Sequence, residues 1–185
     1  MKFTDSTTIG DSEYAELTRN GLTVIGIDPG VRDTGIVGMT FRNKKLARIE
    51  YHVVSDGLRN MDKTLLEIEK FAKQFPAADR FAFSERYENR GTNFNHDLTM
   101  MSFDSQLKVY FDRSVRLIPN MGIKKVITDS LLKSLELYHF KQTTNHSDLR
   151  YAARIGLLGM AKNKTLNRVL SDAFRSTMEE PATLI

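Results

Sequence analysis

Three acidic residues stand where their neighbours make an acid costly. Asp28 closes the apolar run Leu22 to Ile27 (LTVIGI) and is followed at once by Pro29-Gly30. Glu85 closes a second short run, Phe81-Ala82-Phe83-Ser84. Asp148 opens a helical stretch whose next residues include Ala152, Ala153, Gly156 and Gly159. Asp is depleted in strands, and an unpaired buried carboxylate is costly. Three carboxylates converging on one sheet edge would form a site for a hard divalent cation such as Mg²⁺ or Mn²⁺. Each acid also has a plainer reading. Asp-Pro-Gly is good turn chemistry by itself. Glu85 can sit exposed at a strand end or pair with Arg86. An acid in the first turn of a helix is favoured by the macrodipole. Spacing alone leaves these readings open.

The elements that must position the acids follow from periodicity. Leu22 to Ile27 reads as a buried strand, with Thr34 to Phe41 and Ala47 to Val54 as two more. Arg42 to Lys45 is the hairpin loop between them, so the chain opens as an antiparallel meander. Asn60 caps a predicted helix from Met61 to Phe75, with Leu65, Ile68, Ala72 and Phe75 at helical spacing. Arg80 to Arg86 is a short strand carrying Glu85. His96 to Arg113 is a predicted helix with Leu98, Met101, Leu107 and Tyr110 on one side. Val115 to Ile118 is a strand, Lys124 to Phe140 a helix, and Ser147 to about Lys162 another, continuing or restarting to Ser176. The small residues after Asp148 would let that helix approach the sheet closely. Residues 1–20 read as a loose arm or short helix, 21–165 as the main domain, and 166–185 as a C-terminal helix and tail. The order predicts an α/β fold: a five-stranded mixed sheet, three antiparallel strands and then parallel ones, flanked by helices.

The chain has 185 residues, enough for one well-buried domain. It has no Cys, which excludes disulfides, thiolate zinc sites and a cysteine nucleophile. No apolar run reaches the roughly 20 residues that span a bilayer. The polar start, MKFTDSTTIGDSEYAEL, reads as neither signal nor transit peptide. Net charge is +4, unevenly spread. Residues 113–170 hold eleven Lys/Arg against three acids, so that segment is +8 and the remainder −4. Such asymmetry points to a polyanion partner, nucleic acid being the commonest, or to a solvated basic helix face.

The motif Ile25-Gly26-Ile27-Asp28-Pro29-Gly30, followed by Thr34-Gly35, resembles the opening motif of RuvC-type Holliday-junction resolvases in the ribonuclease H-like superfamily. The resemblance runs over roughly residues 22–163: an acid on the first strand, a Glu ending the fourth, an Asp on the last core helix. It implies a ribonuclease H-like fold and that Asp28, Glu85 and Asp148 bind metal. It further implies two Mg²⁺ or Mn²⁺ ions per site, and a homodimer that resolves branched DNA by paired nicks. The cytoplasm is the expected location, a host cytoplasm if the chain is phage or viral. The family's usual fourth ligand, three residues before the last Asp, is Asn145 here. His146 is the nearby group able to bind an ion or relay a proton. The family's lysines are matched by Lys124 and Lys125, without the usual Gly-x-Gly neighbourhood. With Arg150 and Arg154 they would neutralise DNA phosphates. Tyr87 and Phe94 are candidates for stacking on unpaired bases, or for ordinary packing. Met100 and Met101 are candidates for a dimer contact, or for the core.

Three rivals share part of this pattern. Sugar-kinase and actin-type ATPases use a similar acid-glycine motif but need duplicated, longer chains. A ribonuclease H-type enzyme would use the same acids on an RNA/DNA hybrid. A catalytically inactive DNA-binding module would have no need of all three acids.

Overall fold

The computed structural model describes residues 10–86, 94–111, 114–119 and 122–179, with backbone alone at positions 13, 94–97 and 179. Five strands form one sheet: β1 Leu22–Asp28, β2 Asp33–Arg42, β3 Lys45–Ser55, β4 Arg80–Glu85 and β5 Arg116–Ile118. Their spatial order is β3-β2-β1-β4-β5. β1, β2 and β3 pair antiparallel, and β4 and β5 add in parallel to β1. The β2–β3 hairpin turns through Asn43 and Lys44, both at positive φ (51° and 63°), the backbone that matches strand twist in a two-residue turn.

Alternation along the strands divides the core in two. Val24, Val37, Met39, Phe41 and Phe83 face a helix pair, α6 His146–Lys162 and α7 Lys164–Glu179. Ile25, Ile27, Ile36 and Ala82 face the other way, onto α2 Met61–Ala72 and α3 Phe94–Tyr110. The side chain of Asn60 caps α2, accepting from Lys63 N–H at 3.3 Å.

The N-terminal stretch is a helix, α1 Asp11–Asn20, docked on the α6–α7 side of the sheet. Tyr14 is 4% exposed, and its hydroxyl donates to Asp172 on α7 at 2.8 Å. Arg168 lies 4.0 Å over the Tyr14 ring and reaches Asp11 at 2.8 Å, so both ends of the described chain are tied together.

Two expectations about helices are corrected. Residues 124–140 do not form one helix. They form α4 Ile123–Val126 and α5 Asp129–Ser134, separated where Thr128 accepts from Leu131 N–H and restarts the helix. The Ile127 carbonyl, which a continuous helix would use internally, accepts instead from Arg154 Nε at 3.0 Å. In α3, Leu107 is buried alongside Met100, Phe103 and, just past the helix end, Phe111, whereas Leu98, Met101 and Tyr110 are exposed. The apolar residues therefore occupy both sides of α3, and the deeper stripe is the one in the core.

Candidate active site

Strand parity carries two acids to one face. Gly26 and Asp28 differ by two, as do Phe83 and Glu85, so both carboxylates leave the sheet on the side that packs against α6. Register brings them to one end: Ile27 pairs with Ser84, and Asp28 and Glu85 are the next step on adjacent parallel strands. Asp28 also pairs with Gly35 on β2. A Cβ on Gly35 would lie 2.6 Å from the Asp148 carbonyl oxygen and 3.2 Å from the Asp148 Cβ. The absence of a side chain there lets the first turn of α6 settle onto the strand ends. Gly26 acts similarly one turn further along, where any Cβ would fall onto the Ala152 carbonyl. Close helix approach thus delivers Asp148 to the edge that already holds Asp28 and Glu85.

Electrostatics register this convergence. Burial pushes the Asp28 carboxyl well above the ordinary carboxylate range. The Glu85 charge and a hydrogen bond to Glu85 add to the effect, and the Asp148 charge adds again. Among the described residues no three His, Asp or Glu side chains stand together as a ready-made ion cage. The donor set nevertheless fits a hard divalent cation. It offers carboxylate oxygens only, and its like charges demand neutralisation.

The other expected residues divide. Asn145 caps α6, its side-chain oxygen facing Asp148 N–H at 3.5 Å, so it serves the helix that carries the acid. His146 Nδ1 accepts from Phe140 N–H at 3.2 Å, which leaves Nε2 as the proton-bearing nitrogen of the neutral ring. His146 is not among the groups acting on Asp28. Lys124 and Lys125 are exposed on α4, with Lys124 Nζ 4.9 Å from the Tyr151 ring centre. Arg150 is half-buried, its guanidinium 4.7 Å from the Tyr138 ring centre.

Arg154 does not stand as a phosphate contact. It is 3% exposed, donates to the Ile127 carbonyl and pairs with Asp129, so its charge is spent joining α6 to the α4–α5 junction. Tyr87 and the Phe94 side chain lie outside the described residues. The two tyrosines under the cations, Tyr138 and Tyr151, escaped the sequence reading. Each stands among apolar residues that look like ordinary helix packing, and only tertiary contact sets a cation over the ring.

Solved structures of one protein resemble this fold. One is Thermus thermophilus RuvC in complex with a Holliday junction substrate, at TM-score 0.55 and 15% identity, over 85% of this chain and 96% of that one. A second structure of Thermus thermophilus RuvC aligns at TM-score 0.50, with the same identity and coverage. The fold is RuvC-like, within the ribonuclease H-like class. No protein-family model matches the chain. No curated protein matches it by sequence. At 15% identity the RuvC likeness is a likeness of fold. No helix among the described residues is long and apolar enough to cross a membrane.

Proposed function

We propose that this RuvC-like chain is a metal-dependent endonuclease that nicks branched DNA, acting as a homodimer. The observation that carries the reading is the meeting of Asp28, Glu85 and Asp148 on one face and at one end of the sheet, with proton binding at Asp28 strongly favoured. These three carboxylates would hold Mg²⁺ or Mn²⁺. When bound, two such ions supply an activated water and stabilise the leaving oxygen of a phosphodiester. Asp28, within electrostatic reach of both Glu85 and Asp148, would be central to holding them.

The rest of the chain positions DNA. Lys124, Lys125 and Arg150 neutralise phosphates on the surface beside the acid edge, giving affinity without sequence readout. His146 presents Nε2–H at the start of the same helix and is suited to donate to a phosphate oxygen. The homodimer uses the exposed side of α3. Leu98, Met101 and Val109 lie within one stripe of that helix, and Met101 is 55% exposed whereas Met100, at 7%, belongs to the core. The described chain carries one such acid edge, so two coordinated nicks require two copies.

The test is cleavage of an immobile four-way junction with Mg²⁺, alongside plain duplex and an RNA/DNA hybrid. Paired nicks on the junction, absent with chelator, support the reading. Hybrid cleavage alone would make the chain a ribonuclease H-type enzyme. Binding without cleavage under any divalent ion would leave it a DNA-binding module.

A further inference from the structure

At the end of α6 that carries Asp148, two cations share one aromatic ring. Lys133 Nζ lies 4.9 Å from the Tyr138 ring centre and Arg150 Cζ 4.7 Å from it. The two charges are therefore within about 10 Å of each other, inside about one screening length of ordinary buffer, so they still feel each other's repulsion. Among the described residues neither pairs with an acid, whereas their neighbour Arg154 is neutralised by Asp129. The ring's quadrupole attracts each cation and fixes its place, but leaves the positive charge in full. Like charges gathered without a counter-ion favour a polyanion that can bridge them.

The cluster has a defined position. Arg150 stands two residues after Asp148 on α6. Tyr138 stands two residues before Phe140, whose N–H is bonded to His146 in the first turn of that helix. Both halves of the cluster are thus pinned to the end of α6 that carries the candidate ligand.

We infer that Lys133 and Arg150, held on the Tyr138 ring, form a phosphate-tracking contact for the duplex arm that leads away from the cut. The inference rests on the nuclease reading for the identity of the DNA. It adds Lys133 to the contact surface and Tyr138 as the ring that holds both cations, neither of which that reading uses. Tyr138 here is a positioning residue: it touches no DNA and acts through the two cations.

The experiment is fluorescence anisotropy in chelator, with a plain DNA duplex and a four-way junction titrated over a range of salt. The Lys133→Gln, Arg150→Gln double variant should bind both DNAs about tenfold more weakly, and its slope of log K against log salt should be shallower by about two. Tyr138→Phe, which keeps the ring, should bind as the unaltered protein does. Tyr138→Leu, which keeps the apolar bulk, should bind more weakly. Wild-type affinity and slope in the double variant would overturn the inference, whether or not Tyr138→Leu folds. Equal binding by the Phe and Leu variants would remove the ring from it. If the unaltered protein cleaves junctions while the double variant keeps its slope, this inference fails, Arg150 leaves the proposed phosphate surface, and the nuclease activity stands. If duplex binding depends on the two cations but no junction is cut, the nuclease reading fails and the contact stands.

Discussion

Asp28 is a carboxyl group whose surroundings raise its affinity for a proton. Its affinity for the proton is raised by burial first, then by Glu85 and Asp148. The folded chain therefore binds this proton more tightly than the unfolded chain does. The stabilisation is complete below the ordinary carboxylate range and is lost as pH climbs through the raised value, at most about 1.4 kcal/mol per pH unit. Thermal melts in chelator should show Tm falling over that climb, and Asp28→Asn should flatten the fall and raise Tm at neutral pH. A flat Tm profile for the unaltered protein would contradict the buried cluster. On activity the same substitution acts oppositely. Asp28→Asn, Glu85→Gln or Asp148→Asn should each lower junction cleavage more than about 100-fold, because even outer partners of a metal ligand are worth 10- to 100-fold. Binding should persist, since removing a negative charge reduces repulsion of phosphate.

At the scale of elements, the approach of α6 to the sheet is the structural device on which the site depends. Gly35 leaves room for the first turn of α6, at 2.6 Å from a would-be Cβ to the Asp148 carbonyl oxygen. Gly35→Ala should push that turn outward and separate Asp148 from Asp28. The expected outcome is a loss of cleavage larger than the overpacking cost of about 1–3 kcal/mol would explain, read from cleavage rate and urea unfolding on one sample. Arg154 joins α6 to the α4–α5 junction. Arg154→Ala should destabilise the fold by about 1–3 kcal/mol, because the Ile127 carbonyl loses its donor. Its salt slope for DNA binding should stay unchanged, which separates it from Lys124 and Lys125.

For the whole molecule, the question is how many copies act together. The exposed side of α3 offers Leu98, Met101 and Val109, the last 75% exposed. A charge in a buried apolar contact is costly, whereas on a solvated surface it is nearly neutral. Met101→Glu with Val109→Glu should shift the mass in light scattering from dimer to monomer and convert paired nicks into single ones. An unaltered mass would place the contact elsewhere. The α1–α7 tie gives a second molecular-scale expectation. Tyr14→Phe removes the donor to Asp172 and should lower stability by about 1 kcal/mol without changing cleavage.

Local pattern decided much of this protein. An apolar run ending in Asp28-Pro29-Gly30, a second ending in Glu85, and small residues following Asp148 were enough to read the strands, their antiparallel opening and the three acids in order. These features are legible because strand alternation, turn chemistry and helix caps act over a few neighbouring residues. The break at Ile127, the burial of Arg154, the division of Met100 from Met101 and the cations on Tyr138 were decided only by tertiary structure. Each depends on a partner distant in sequence. Ile127 lies 27 residues from the guanidinium that takes its carbonyl, and no helical period encodes that contact. An arginine reads the same in sequence whether its charge faces solvent or closes a loop, and the fold alone chooses by what it brings within hydrogen-bond reach.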